Sequence, residues 1–179
     1  MTLPPLTAAD FVRGERDAPL LIVHYGDFEC PYSGALHPTL RELETRFPDQ
    51  IAVIFRHFPL SDVHPHAFPA ALAAQASGEK FWAMHDTLFE NQDELREADL
   101  LDYARQIGLD LAQFRTALGA PATREAVETS VQTAQSIGLH GTPSVFINGE
   151  FHDNREGLWK MARLLPLVEE ALEKGSAQR

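Results

Sequence analysis

Cys30 is the only cysteine of the chain and stands in the run Asp27–Ser33, where a strand-like segment gives way to a helical pattern. The positive end of a helix dipole and the unpaired N–H groups of its first turn favour a thiolate, which is the reactive form of cysteine. Because Pro31 suits the first helical position, we expect the N–H groups of Tyr32 and Ser33 to point at the sulfur. The pattern predicts a reactive thiol at a surface turn rather than inert packing.

Two neighbours of Cys30 act on its charge in opposite directions. The Ser33 hydroxyl can donate a hydrogen bond to the thiolate and so favour it. The Glu29 carboxylate disfavours a second negative charge beside it. Both residues are candidates for tuning the thiol, and the sequence leaves their balance open.

The composition is that of an acidic globular protein. The chain has 179 residues, 44% of them hydrophobic, and a formal net charge of −11, which predicts one domain, with or without an insertion. No basic run offsets this charge, so nucleic acid and anionic membrane are not expected as partners. The start at Met1 lacks the basic and apolar blocks of a signal peptide. We expect a cytoplasmic location, or a periplasmic one if a signal peptide has been removed.

The elements that must position Cys30 lie at the two ends of the chain. A strand at residues 20–25, a helix ending before Pro48 and a strand at residues 51–55 predict a parallel pair. Asn148-Gly149 between two strand-like segments predicts a hairpin. Apolar residues between Leu158 and Leu172 recur at helical spacing and predict an amphipathic last helix.

The middle of the chain, residues 61–139, carries almost no strand signal. Its apolar residues recur at helical spacing, and the helical patterns end at glycines, namely Gly78, Gly108, Gly119 and Gly138. We predict a helical insertion that packs on the sheet.

Four motifs together resemble one family: Tyr25–Tyr32, Arg56–Leu60, Phe81-Trp82 with His85-Asp86, and Gly141–Pro143. The chain resembles the DsbA-like branch of bacterial thiol–disulfide oxidoreductases, in the thioredoxin superfamily. The resemblance implies an α/β, thioredoxin-like fold whose βαβ and ββα halves are residues 1–60 and 140–179. The helical insertion domain, residues 61–139, lies between them.

The resemblance also assigns the substrate side of the site. It implies a cis peptide bond at Thr142-Pro143, beside the active cysteine. The Thr142 backbone is expected to offer hydrogen bonds to an extended peptide, while its side chain borders the sulfur. Pro31, Tyr32, Thr142 and Pro143 are the expected substrate-binding residues.

Two departures from the family pattern bear on the mechanism. Ser33 replaces the second cysteine, so no internal disulfide can form and the chain is a monothiol. His24, six residues before Cys30, replaces a buried acid that handles the proton of that second cysteine. The two changes fit together, which favours a natural serine, and His24 is a further candidate for tuning. Cys30 and Ser33 are the expected catalytic pair.

The expected chemistry is attack of the Cys30 thiolate on a disulfide to give a mixed disulfide. The partners are disulfide-containing or thiol-modified proteins. No cofactor is expected, with glutathione as a candidate co-substrate. Glutathione, another thioredoxin-like protein or the substrate's own second cysteine then resolves the intermediate. The alternatives are a dithiol enzyme in which Ser33 is an engineered replacement and a non-catalytic, peptide-binding or chaperone-like module.

Other motifs point to no further function. His37, His57, His64 and His66 could join Cys30 in a metal site, but neither a second cysteine nor tight paired spacing supports zinc, and we predict no metal. The sequence has no glycine-rich phosphate loop, no Gly-x-Ser-x-Gly motif and no basic stripe with aromatic residues, which disfavours nucleotide use and nucleic-acid binding.

Overall fold

The structure, a computed structural model, describes residues 1–152, 154 and 157–177. Within these residues the strands are β1 (Phe11–Arg13), β2 (Leu20–Gly26), β3 (Ile51–His57), β4 (Ser144–Ile147) and β5 (Glu150–His152). The helices are α1 (Pro31–Arg46), α2 (Ala67–Ala76), α3 (Phe81–Glu90), α4 (Glu97–Gln106), α5 (Leu111–Leu118), α6 (Pro121–Ser136) and α7 (Met161–Ala177), with a 3₁₀ turn at Gly78–Lys80.

The strands form one sheet in the order β1-β3-β2-β4-β5. Strands β2 and β3 are parallel, as predicted, and every other neighbouring pair is antiparallel. The parallel register pairs Leu20 with Ile51 and Gly26 with His57. The carboxyl ends of both strands therefore meet at one edge, where Cys30 follows β2.

Alternating strand residues separate two apolar layers. On one face, Ile22, Val53 and Val145 belong to a buried cluster with residues of α1 and α7. On the other face, Val23 and Ile54 cluster with residues of α6 and the segment after it. Because β2 and β3 are covered on both faces, their side chains are almost continuously buried.

A third cluster lies between the carboxyl ends of the central strands and the inserted helices. Phe28 and Phe55 pack there with Phe81 and Phe89 of α3, and residues of α2, α4 and α5 complete the cluster. The inserted helices thus share a core with the segment that carries Cys30.

The structure confirms the hairpin predicted at Asn148-Gly149. Asn148 (φ 47°) and Gly149 (φ 86°) both take the left-handed backbone conformation between β4 and β5, which a tight two-residue turn requires. The prediction missed β1, because a three-residue strand carries too little alternation to be recognised. The last helix begins at Met161, three residues later than the apolar pattern at Leu158 indicated.

Candidate active site

Cys30 lies at the N-terminal end of α1, where its backbone (φ −72°, ψ 120°) makes it the N-cap and Pro31 the first helical residue. Its side chain is 3% exposed. The Sγ–H donates a hydrogen bond to the carbonyl oxygen of Thr142 across 3.3 Å. The thiol is therefore held between the start of α1 and the loop before β4.

The expectation that N–H groups of Tyr32 and Ser33 point at the sulfur is wrong in this state. Cys30 makes no side-chain capping hydrogen bond to α1, because its Sγ is engaged by the Thr142 carbonyl instead. A carbonyl oxygen can only accept, so this contact belongs to the protonated thiol.

Thr142 and Pro143 lie where the resemblance places them, with a cis peptide bond between them. Both residues are buried. The Thr142 hydroxyl is buried and has no hydrogen-bond partner in the described part of the chain. The carbonyl of Thr142 is the group that contacts the sulfur.

The other side of Cys30 presents an aromatic surface. Pro31 is exposed, and the Tyr32 side chain is 52% exposed. The Tyr32 ring lies 4.8 Å from the ring of Trp159, measured between centroids. The sequence prediction did not include Trp159, since 129 positions separate it from Cys30 and no local pattern marks it.

Ser33 is completely buried. Its Oγ accepts a long hydrogen bond from the backbone N–H of Asp27, with the two atoms 3.4 Å apart. Among the hydrogen bonds of the described residues, none joins this hydroxyl to the Cys30 sulfur, so the expected Ser33–thiolate contact is absent in the thiol state. Ser33 instead ties the first turn of α1 to the end of β2.

Asp27 organises the turn before Cys30, a role that sequence reasoning missed. Its Oδ1 accepts from the N–H groups of Glu29 (2.8 Å) and Cys30 (3.2 Å). Its Oδ2 accepts from the N–H of Leu60 (2.9 Å) and lies 2.7 Å from Nδ1 of His64. The buried carboxylate thus has four partners, as a buried charge requires, and joins the active-site turn to the segment after β3.

Glu29 is directed to the start of α2. Its carboxylate accepts from the N–H of His66 (2.6 Å) and lies 3.0 Å from Nδ1 of the same residue. His66 is the N-cap of α2, so the negative charge sits at the positive end of a helix. This arrangement offsets the repulsion that Glu29 was expected to exert on a Cys30 thiolate.

His24 is 1% exposed, and its ring contacts those of Phe55 and Phe89. Neither ring nitrogen has a hydrogen-bond partner among the described residues. Burial, reinforced by the nearby His85 and His37, holds the pKa of His24 well below its usual value. The ring is therefore neutral, and its effect on Cys30 stays a prediction.

Of the histidines considered for a metal site, His37 lies instead with His85 and Asp86, with potential ligand atoms within 4.8 Å of one another. Asp86 is bonded through Oδ2 to Arg13 (2.7 Å) and through Oδ1 to His85 Nδ1 (2.8 Å). Burial alone would raise the pKa of Asp86, but these two partners hold it below its usual value. The arginine already neutralises the carboxylate, so this group fits an ion pair better than a cation site.

Comparison with known proteins identifies a family and relatives that are similar in sequence. A family model described as thioredoxin matches residues 6–166. The chain is 48% identical over 145 residues to a Salinispora arenicola protein named Na(+)/H(+) antiporter NhaA 1, a stretch that is 80% of this chain and 22% of that protein. The chain thus spans about a fifth of the length of this curated relative. Among the residues described, no helix has both the length and the apolar character to cross a membrane.

Solved structures agree in fold. A thioredoxin-like oxidoreductase from Silicibacter pomeroyi superposes with a TM-score of 0.81 at 24% identity, covering 93% of this chain and 94% of the other. Wolbachia pipientis α-DsbA1 superposes with a TM-score of 0.83 at 19% identity, covering 98% and 96%. The chain therefore has the thioredoxin-like fold of DsbA-like proteins, including the inserted helices.

Proposed function

The chain belongs to the thioredoxin family, and from that membership we propose that it is a thiol–disulfide oxidoreductase that acts as a monothiol through Cys30. The observation that carries the proposal is the position of its only cysteine. Cys30 is the N-cap of α1 and contacts the Thr142 carbonyl, close in sequence to exposed Tyr32. This arrangement supports attack on a disulfide held along the loop before β4.

The reaction with a glutathionylated protein runs in two balanced steps. The Cys30 thiolate attacks the glutathione sulfur, a new S–S bond forms, and the protein sulfur leaves as a thiolate that takes a proton from water. A second glutathione thiolate then attacks the glutathione sulfur held on Cys30. Glutathione disulfide leaves and Cys30 is regenerated, so the net exchange consumes one free glutathione thiol and releases one protein thiol.

Thr142 has a second role in this proposal. Once Cys30 loses its proton, the Sγ–H no longer donates to the Thr142 carbonyl. That oxygen is then free to accept from a backbone N–H of an extended substrate, a form of strand addition. Pro31, Tyr32 and Pro143 border the same position and would contact the residues that flank the substrate sulfur.

A monothiol also needs a supply of free thiols to resolve its mixed disulfide. A reducing compartment provides them, since glutathione and thioredoxins keep thiols reduced in the cytoplasm. We propose that the chain works in such a compartment. Another thioredoxin-like protein would serve as reductant by the same chemistry.

The test is turnover of a glutathionylated peptide with excess glutathione, for the unchanged chain, Cys30→Ala and Ser33→Cys. Turnover that disappears in Cys30→Ala supports the monothiol proposal. Turnover only in Ser33→Cys would overturn it in favour of a dithiol enzyme. If the unchanged chain and both variants are inactive while Cys30→Ala still binds the peptide, the chain is a peptide-binding module instead.

A further inference from the structure

Gln92 connects the loop after α3 to the active-site turn. Its Nε2 donates to the carbonyl oxygens of Phe28 (2.8 Å) and Cys30 (2.9 Å). A side-chain amide has two N–H bonds, and both are used here. The two carbonyls lie on either side of the Glu29–Cys30 peptide, so a single side chain holds the backbone that precedes and follows the nucleophile.

Gly34 gives independent evidence for this contact. It lies in the first turn of α1, where alanine is intrinsically a much better helix former than glycine. A Cβ added at Gly34 would lie 2.5 Å from Cδ of Gln92, and closer still to its Oε1. Such distances are far below van der Waals contact, so an alanine fits only if Gln92 moves away. The requirement for glycine at position 34 follows from the position of Gln92.

The same turn is fixed at its other end by Asp27. That carboxylate holds the N–H of Cys30, while Gln92 holds its carbonyl. The backbone of the nucleophile is therefore restrained on both sides by side chains that reach it from outside α1. Together these bonds maintain the extended N-cap conformation that directs Sγ to the Thr142 carbonyl.

We propose that Gln92 is a positioning residue for Cys30, an inference that rests on the proposed thiol–disulfide exchange. Attack on a disulfide requires the sulfur in line with the S–S bond, and misplacement of a reacting atom by about 1 Å can cost on the order of 100-fold in rate. Gln92 does not touch the substrate in this scheme. Its loss lowers the rate of attack and leaves substrate binding unchanged.

The test compares Gln92→Ala, Gln92→Glu, Gly34→Ala and the double variant Gln92→Ala/Gly34→Ala. Gln92→Glu keeps the length of the side chain but removes both donors. Gln113→Ala, on the exposed face of α5, is the matched control. The measurement is the single-turnover rate of mixed-disulfide formation with a glutathionylated peptide, over a range of peptide concentrations.

We expect the maximum rate to fall about 10-fold in each single variant of Gln92 and Gly34, by misplacement of the sulfur. The peptide concentration at half-maximal rate should stay within twofold. The double variant should be no slower than Gln92→Ala, because Gly34→Ala acts only by displacing Gln92. Its thermal midpoint should equal or exceed that of Gln92→Ala, since alanine then occupies the helix without a clash.

Two results would overturn the proposal. One is a maximum rate in Gln92→Ala and Gln92→Glu equal to that of Gln113→Ala. The other is a further, multiplicative loss when Gly34→Ala is added to Gln92→Ala. Failure of the unchanged chain to react faster than Cys30→Ala is a different outcome, because it refutes thiol exchange itself.

Discussion

Lowering the pH from 6.5 to 4.5 should destabilise the fold by charging its buried histidines, and His57→Phe should remove part of that loss. Burial lowers the pKa of His57 to about 3, an effect that the nearby Gln75 side chain offsets only in part. Burial likewise lowers the pKa of His85 to about 4. In the unfolded chain both rings titrate near 6.5.

The direction of this pH effect follows from the difference in proton uptake between the folded and the unfolded chain. Between the two pKa values the unfolded chain binds a proton that the folded chain does not, so stability is complete above pH 6.5 and falls as the pH drops. The titration of each such histidine lowers the free energy of unfolding by about 2 kcal/mol between pH 6.5 and 4.5. Together the His57 and His85 rings lower the free energy of unfolding by about 4 kcal/mol, a large fraction of the stability of a typical domain, and the lowered pKa of buried His24 acts in the same direction.

His57→Phe isolates one of these contributions. The ring packs among Phe11, Phe55 and Phe81, and neither nitrogen has a hydrogen-bond partner among the described residues. His57 also lines a cavity of about 450 Å³ beside α6, which gives the larger ring room. The substitution therefore removes a titrating group, and the polar contact that it removes with it is the one to the Gln75 side chain.

The assay is urea unfolding at half-unit steps between pH 6.5 and 4.5. In His57→Phe, the slope of the unfolding free energy against pH should be smaller than in the unchanged chain by about 1 kcal/mol per pH unit on average between pH 6.5 and 4.5. The difference approaches about 1.4 kcal/mol per pH unit, the value for one proton, at the lower end. His140→Phe, the same change at an exposed histidine, should leave the slope as it was. Parallel curves for His57→Phe and the unchanged chain would refute the argument.

Three further substitutions test the framework of the site. Asp10→Asn should lower the free energy of unfolding, measured in urea, by about 3 kcal/mol, because it leaves the buried Arg56 without its carboxylate partner at 2.7 Å. The control Asp102→Asn, which breaks an exposed ion pair, should lower it by less than about 1 kcal/mol. In the unchanged chain the Asp27 carboxylate accepts from the N–H of Leu60 and contacts His64, and Asp27→Asn replaces one of its accepting oxygens by an NH₂ group. The free energy of unfolding in urea should therefore fall by about 1–3 kcal/mol, and peptide turnover should be slower. Gly149→Ala should cost about 1 kcal/mol by thermal unfolding and leave turnover unchanged, since the residue has a φ of 86° and open space around it.

Local signals account for what the sequence predicted well. Asn148-Gly149 sets a turn by its own backbone preferences, and the nearly continuous apolar runs of β2 and β3 follow from burial on both faces. The position of Cys30 at the start of α1 follows in the same way from the strand before it and Pro31 after it. Each of these features depends on residues close together in the chain.

The contacts that fix the site depend on residues far apart and could not be predicted in this way. Gln92 bonds the carbonyl of Cys30 from 62 positions away, and the Thr142 carbonyl meets the sulfur from 112 positions away. The one feature near Cys30 in the sequence that reflects the contact with Gln92 is Gly34. Its own helical backbone conformation does not require a glycine. An unexplained glycine inside a helix is therefore a signal of close approach by a distant side chain.

The inserted helices contribute to the site as directly as the sheet does. Asp27 reaches Leu60 and His64, just before α2, and Glu29 bonds His66 at its start. Phe28, next to the nucleophile, packs on α3. A chain with the insertion removed would leave the buried Asp27 carboxylate without its contact to His64 and the Phe28 ring without its packing against α3. The helices of residues 61–139 are thus part of what holds Cys30, and substitutions there should alter its reactivity without touching the thiol.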